Sequence, residues 1–159
     1  MLDIVISFDG LCEPVNPGGY ACFGYVIYFN KSKFVGCGNL GNGKHATNNI
    51  AEWAALKYAL DRTLTVWEKD FDSKIIESLT IIGDSKLVIN QMTGRYQIKN
   101  DLMKKIRNYC VNKLDKLNVR DNNVSVRWTP RDFNFQADEA SRLGYLYASC
   151  TDESLRELQ

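Results

Sequence analysis

The chain has 159 residues, of which 45% are hydrophobic and 25% are charged, and its formal net charge is +1. These are ordinary values for a globular domain that buries a core of its own, so they exclude a largely disordered or low-complexity chain. A net charge this small also excludes a generally basic surface, and any binding of nucleic acid must depend on a local patch.

The N-terminus and the cysteines indicate a cytoplasmic protein. Residues 1–3 carry no basic leader, and no apolar run approaches the roughly 20 residues that span a membrane. The five cysteines are odd in number and contain no C-x-x-C pair, which argues against a zinc site or a full disulfide framework. The sequence leaves open whether Cys150 forms a single disulfide. We expect a monomer with one domain over residues 1–150 and a polar tail over residues 151–159.

The first part of the chain predicts a three-stranded antiparallel meander. Residues 3–8 carry apolar side chains on both alternating faces, which is typical of a strand buried on both sides of a sheet. After a turn-rich loop, aromatic and β-branched runs over residues 20–29 and 34–39 predict two more strands. Asp9 directly follows the first strand, so an acid is expected at a strand end.

A long helix is predicted from about residue 50 to residue 67, after capping residues at 47–49. Glu52 lies in its first predicted turn, at the head of an apolar face, where a charged side chain without a partner is rare. Stabilisation of the helix dipole explains this glutamate equally well. The residue alone therefore leaves both explanations open.

A second acid follows the next predicted strand. The apolar run over residues 79–82 is followed by Gly83, Asp84 and a predicted helix over residues 85–93. Ligands gather outside the carboxyl ends of strands in open α/β sheets, although Asp is also a favoured helix N-cap. A strand–helix–strand crossover makes this strand parallel to the first one. If the two strands are neighbours, Asp9 and Asp84 lie side by side and need a shared proton or a cation, which favours a metal site.

Two further helices and a fifth strand complete the predicted fold. The helix over residues 101–117 has a lysine-rich surface, which is either simply solvated or part of a phosphate-facing patch. Residues 124–128 alternate as a strand, and a last helix begins near residue 134. Asp138 lies one turn inside that helix, where an i,i+4 pair with Arg142 is the alternative to a functional role.

Four motifs run in order from the first predicted strand to the last helix. They are F-D-G followed by N-P-G-G within residues 8–19, T-N-N-I-A-E at 47–52, G-D-S-K-L-V-I-N-Q at 83–91, and W-T-P-R-D-F-N-F-Q-A-D at 128–138. In this order they resemble type 1 ribonuclease H, in particular its compact archaeal and bacterial members. The resemblance implies an α/β ribonuclease H-like fold, with a five-stranded mixed sheet of three antiparallel strands followed by parallel strands, flanked by helices.

The resemblance also implies an activity and a site. The activity is endonucleolytic hydrolysis of the RNA strand of RNA/DNA hybrids, giving 5′-phosphate and 3′-hydroxyl ends. The implied metal site holds two Mg²⁺ ions, or Mn²⁺ in their place, on four acids: Asp9, Glu52, Asp84 and Asp138. Substrate contacts are implied for Asn16, Thr47, Asn48 and Asn49, whose alternative is turn and cap chemistry. Double-stranded RNA is a second candidate partner.

Three departures from the family pattern affect these expectations. Arg131 stands where many members carry a loop histidine, and arginine can hold a phosphate but cannot act as a base near neutral pH. Lys86 stands where a glutamine is common, which could shift a minor-groove contact towards phosphate. The short connection at residues 95–100 leaves no room for the extra basic helix of some members, so we expect weak, salt-sensitive binding of the hybrid.

Two other functions remain open from the sequence. In the first, the same fold is a binding module for hybrids or double-stranded RNA with weak or absent catalysis, although the presence of all four acids argues against it. In the second, a related nuclease acts on other substrates, as a DNA resolvase or integrase core does. The asparagine-rich contact set and the N-P-G-G loop favour the hybrid nuclease.

Overall fold

The computed structural model describes the backbone of residues 1–158 and the side chains of residues 1–149. The strands are β1 (Leu2–Glu13), β2 (Gly18–Phe29), β3 (Ser32–Gly43), β4 (Ile76–Gly83) and β5 (Val124–Trp128). The helices are α1 (Asn48–Asp70), α2 (Lys86–Met92), α3 (Asp101–Lys116) and α4 (Phe135–Leu158), with short 3-10 segments at Arg120–Asn122 and Arg131–Phe133. The predicted fold class is confirmed.

The five strands form one mixed sheet in the order β3-β2-β1-β4-β5. β1 lies at its centre, antiparallel to β2 and parallel to β4, and β5 continues the parallel side. The predicted meander and the predicted parallel neighbours are therefore both confirmed. Ile4, Ile6 and Phe8 lie on one face of β1 and are fully buried, whereas Val5 and Ser7 on its other face are half-buried.

β1 is longer than predicted, and this changes the position of its acid. The parallel ladder with β4 ends at the pair Phe8 and Gly83, whereas the antiparallel ladder with β2 continues to Glu13. Asp9, predicted to follow the strand, lies inside it and pairs with Gly24 of β2. The prediction failed because β2 continues to supply backbone partners after the apolar run has ended. Asp9 thus lies one residue beyond the last pair with β4, while β2 still holds this part of β1 by backbone hydrogen bonds.

Helix α1 packs against β1 and positions one wall of the site. Trp53, Leu56 and Leu60 are fully buried on its inner face, in agreement with the predicted stripe. Gly10 allows the close approach, because a Cβ at this position would overlap the backbone of Ala51 and Glu52. A glycine next to Asp9 therefore brings the two acid-bearing elements together.

Helix α4 covers the other face of the sheet in a similar way. A Cβ at Gly24 would overlap the backbone of Ala140 and Ser141, and one at Gly144 would meet the backbone of Gly38. Among the described residues no helix is both long and apolar enough to cross a membrane. Cys12, Cys22, Cys37 and Cys110 are free thiols, and Cys150, for which the sequence left a disulfide open, lies outside the side chains that are described.

Candidate active site

Three predicted acids meet where β1, α1 and the end of β4 converge. Asp9 comes from β1, Glu52 from α1 and Asp84 from the junction between β4 and α2. One carboxylate oxygen of each lies within 4.8 Å of those of the other two. Asp9 and Glu52 are buried and Asp84 is half-buried. The fold thus brings together acids that are separated by more than thirty residues in the chain.

Asp84 is not a helix cap. The N-cap of α2 is Ser85, whose Oγ accepts a hydrogen bond from the backbone N–H of Val88 at 3.2 Å. The capping explanation for Asp84 is therefore wrong, because the next residue already performs that task. The backbone carbonyl of Asp84 accepts a hydrogen bond from Trp128 Nε1 at 3.0 Å, which holds the junction against the end of β5.

Glu52 lies in the second turn of its helix, not the first as predicted. The N-cap is Thr47, whose Oγ1 accepts from the backbone N–H of Ile50 at 3.2 Å, so α1 begins at Asn48, earlier than the apolar pattern indicated. Interaction with the helix dipole falls off within the first turn, so it does not explain a glutamate that is only 7% exposed. The remaining explanation is the group of acids that Glu52 faces.

Burial and mutual repulsion oppose ionisation of the three carboxyls. Burial raises the pKa of Asp9 from 3.8 to about 7, with the charge of Asp84 adding to the effect and a hydrogen bond with Glu52 opposing it. Burial and then the charge of Asp9 raise the pKa of Glu52 well above its ordinary value. Burial also raises the pKa of Asp84, against the lowering effects of Asn134 and Arg131. A cation between the oxygens would remove this penalty.

The unpaired oxygens of the site fit a hard divalent ion. Among the described residues, the buried side-chain atoms that lack a hydrogen-bond partner are Asp9 Oδ2, Glu52 Oε2, Asp84 Oδ2, Asn134 Oδ1 and Asp138 Oδ1. All are oxygens, the ligand type that Mg²⁺ and Ca²⁺ prefer, and leaving a buried polar atom unpaired is costly. These oxygens therefore suit the kind of ion that the resemblance to type 1 ribonuclease H implied.

Asp138, the fourth predicted acid, stands beside this group and is held by two arginines. Its Oδ2 accepts from Arg142 Nε at 3.1 Å, and its Oδ1, which accepts no hydrogen bond, lies 3.6 Å from Arg131 Nη2 in an ion pair. The i,i+4 pair with Arg142 is thus present in the structure. Asp138 is also close enough to Asp9 to help raise the pKa of that carboxyl. It borders the three-acid group, although its carboxylate is not among those that lie within 4.8 Å of one another.

A cleft of about 590 Å³ opens over the three acids. The residues implied as substrate contacts or as the histidine replacement share its lining: Asn16, Asn48, Asn49 and Arg131. Asn16 Oδ1 accepts from the backbone N–H of Asn48 at 3.2 Å, which ties the N-P-G-G loop to the start of α1. Thr47 uses its hydroxyl as the helix cap. Lys86 lies outside the lining, with its ammonium 4.6 Å from the centre of the Trp128 ring.

Sequence reasoning missed two residues next to the acids. Asn134 is only 2% exposed, and its Nδ2 donates to the carbonyl of Phe8 at 3.0 Å, directly before Asp9. The Nε1–H of Trp128 donates a hydrogen bond to the backbone carbonyl of Asp84. Both belong to the fourth motif, but no periodicity signals their role, because each bonds the backbone carbonyl of a residue far away in the sequence.

The fold and the acidic cleft together define a ribonuclease H-like protein. The chain belongs to the Reverse transcriptase-like family, whose sequence model matches residues 7–144. The resemblance to type 1 ribonuclease H inferred from the motifs is confirmed, and the family and the solved structures agree with the prediction of an enzyme of the ribonuclease H class.

Relatives and solved structures cover nearly the whole chain. Bifunctional protein Rv2228c of Mycobacterium tuberculosis is 29% identical over 138 residues, which are 86% of this chain but only 34% of that protein. The chain therefore spans about a third of the length of the curated relatives that it matches. RNase H1 from Halobacterium salinarum NRC-1 superposes with a TM-score of 0.72 at 25% identity, covering 90% of this chain and 97% of that one. LC11-RNase H1, a protein isolated from compost, matches with a TM-score of 0.73 at 27% identity in its complex with an RNA/DNA hybrid, covering 88% and 94%.

Proposed function

We propose that this protein is a divalent-metal-dependent endonuclease that hydrolyses the RNA strand of RNA/DNA hybrids. The observation that carries the proposal is the group of Asp9, Glu52 and Asp84 at the base of a cleft whose rim is rich in asparagine. The similarity to LC11-RNase H1, whose structure contains an RNA/DNA hybrid, supports the choice of substrate. The products would carry 5′-phosphate and 3′-hydroxyl ends.

The three acids would hold Mg²⁺, with Asp138 available at their edge for a second ion and Mn²⁺ able to replace Mg²⁺. Two such ions supply, when bound, an activated water and stabilisation of the leaving oxygen in an in-line displacement at phosphorus. This chemistry requires no protein nucleophile. Binding of such ions agrees with a site in which the described buried side-chain atoms that lack a hydrogen-bond partner are all oxygens.

The other residues of the cleft would bind and orient the substrate. Asn16, Asn48 and Asn49 carry amides that both donate and accept, which suits the 2′-hydroxyl groups and base edges that a hybrid exposes in its minor groove. Arg131 is 67% exposed at the rim, and its guanidinium would bind a phosphate oxygen. Because arginine stays protonated, Arg131 holds charge in place and does not accept the proton of the attacking water.

Cleavage of a strand-labelled RNA/DNA hybrid tests the proposal. Wild type and Asp84→Asn are assayed with Mg²⁺, with Mn²⁺ and with EDTA, beside DNA/DNA and RNA/RNA duplexes, and product ends are identified by phosphatase sensitivity. The matched control is Asp115→Asn, which removes an exposed carboxylate on α3. We expect metal-dependent cutting of the RNA strand by wild type and by the control, and none by Asp84→Asn. A wild type that binds the hybrid but cuts nothing with either metal would replace this proposal with a binding module.

A further inference from the structure

Trp128 connects the candidate active site to a cationic side chain just outside it. Its Nε1 donates to the carbonyl of Asp84 at 3.0 Å, and the ammonium of Lys86 lies over its ring at 4.6 Å from the centroid. Register explains the placement, because Trp128 is the last residue of β5 and pairs with Gly83 at the end of β4. One side chain therefore contacts both the acid-bearing junction and the first residue of α2.

The exposure of Trp128 argues against a purely structural role. The other two tryptophans of the chain, Trp53 and Trp67, are 0% and 5% exposed, whereas Trp128 is 43% exposed. A large aromatic ring that remains open to solvent contributes less to a core than a buried one. Its exposed face is instead available to hold a cation.

Lys86 carries a charge that none of the described acidic side chains neutralises. The ion pairs within residues 1–149 do not include it, and its described partner is the ring of Trp128. It directly follows Asp84 and Ser85, both of which line the cleft. A cation held beside the cleft by an aromatic ring leaves its N–H groups free for a phosphate oxygen.

We propose that Trp128 is a positioning residue for nucleic-acid recognition. Its ring holds the ammonium of Lys86 where it meets a backbone phosphate of the bound duplex, and its N–H fixes the backbone of Asp84 beneath the cleft. The inference rests on the proposed function, since it assigns these two residues to the substrate of that same site. It adds a recognition element that acts through a cation–π contact and through a backbone hydrogen bond.

The size of the effect follows from the two contacts. An exposed cation–π interaction is weak, so loss of the ring should weaken hybrid binding about two- to five-fold. Loss of one lysine–phosphate contact should lower the salt dependence of binding, expressed as the slope of log K against log salt concentration, by about one. In a variant that lacks both side chains, the two losses of binding should not add, because the ring acts through the lysine.

A double-mutant cycle measures the coupling. Hybrid binding by wild type, Lys86→Met, Trp128→Leu and the double variant is followed by fluorescence anisotropy in EDTA over a series of KCl concentrations. We expect Trp128→Leu to weaken hybrid binding when Lys86 is present. In the protein that already carries Lys86→Met, the same substitution should have no further effect. Equal weakening in both backgrounds would overturn the inference. Lys31→Met, in the turn between β2 and β3 at the opposite end of the sheet, is the charge control.

Steady-state kinetics separate the two contacts of Trp128. Trp128→Phe keeps an aromatic face but loses the N–H, so it should lower kcat more than it raises KM. Lys86→Met should raise KM with little change in kcat. A Trp128→Phe variant with wild-type kcat would remove the backbone hydrogen bond from the proposal. Thermal unfolding of each variant verifies that the protein is folded under the assay conditions.

Tryptophan fluorescence reports on the same contact without catalysis. Because Trp53 and Trp67 are buried, quenching by acrylamide reports mainly on Trp128, and bound hybrid should reduce it. Unchanged quenching with saturating hybrid would place Trp128 away from the nucleic acid and overturn the inference alone. A wild type that neither binds nor cuts hybrids would instead overturn the proposed function together with the inference.

Discussion

Replacing Asp9 by asparagine should stabilise the metal-free protein at alkaline pH relative to wild type and should weaken its response to divalent metal. Burial raises the pKa of Asp9 from 3.8 to about 7, so the folded state binds a proton that the unfolded chain releases more readily. The stabilisation from this proton is fully present below pH 3.8 and is lost as the pH rises through about 7. An asparagine never ionises, and its Oδ1 can still accept the N–H bond that Gly10 donates to Asp9 Oδ1 at 2.9 Å.

The magnitude follows from the shift. Each pKa unit corresponds to roughly 1.4 kcal/mol, so a rise from 3.8 to about 7 in the folded state costs at most roughly 4 kcal/mol once the carboxyl is ionised. For a protein of this size that free energy corresponds to about 10 °C in Tm. The gap in Tm between Asp9→Asn and wild type should widen by up to that amount between pH 4 and pH 8.

The assay is thermal unfolding by circular dichroism in EDTA at a series of pH values, repeated with Mg²⁺. Wild type should gain stability from Mg²⁺ at pH 8 because the ion offsets the repulsion, whereas Asp9→Asn should gain much less. Asp115→Asn, which removes an exposed carboxylate, should follow the wild-type pH profile. A gap between Asp9→Asn and wild type that stays constant from pH 4 to pH 8 would refute the reasoning.

Three other substitutions test separate parts of the site. Arg131→Ala should slow turnover of the hybrid without abolishing it, because it removes a phosphate contact but no metal ligand, and an unchanged steady-state rate would exclude Arg131 from the mechanism. Asp138→Asn should retain a measurable fraction of the cleavage rate that Asp84→Asn loses, since Asp138 borders the three-acid group; equal loss in single-turnover assays would contradict this. Gly10→Ala should lower the urea midpoint and weaken Mg²⁺ affinity, because its Cβ overlaps the backbone that carries Glu52; wild-type values for both would contradict the close approach.

Strand order was predictable because apolar runs and crossover rules determine it. A buried first strand, two aromatic hairpin strands and a strand–helix–strand crossover leave few arrangements, and the observed order follows from them. The meeting of Asp9 and Asp84 depends only on that order. Glu52 joined them because the crossover helix starts at the same edge of the sheet.

Features that depend on polar hydrogen bonds were less predictable. Ser85 and Thr47 each cap a helix through a single hydroxyl contact, so both helices begin at residues other than those predicted. These caps also exclude helix capping as the role of Asp84 and a first-turn position for Glu52. Asn134 and Trp128 donate to backbone carbonyls of residues far away in the sequence, Phe8 and Asp84, which no local pattern encodes. Local periodicity predicts which side chains are buried, whereas these contacts depend on which distant segments of the chain lie next to each other.

The central position of β1 has a consequence for folding. The meander of β1, β2 and β3 contains one of the three acids, α1 brings the second, and the third arrives only when β4 docks beside β1. Closing that parallel pair joins segments more than seventy residues apart, as in the pair Ile4 and Leu79, which makes it a slow step compared with hairpin formation. A metal ion that needs all three carboxylates would therefore bind after the crossover closes. Acquisition of metal affinity would then be a late reporter of folding, and the ion would stabilise the finished fold without guiding its early stages.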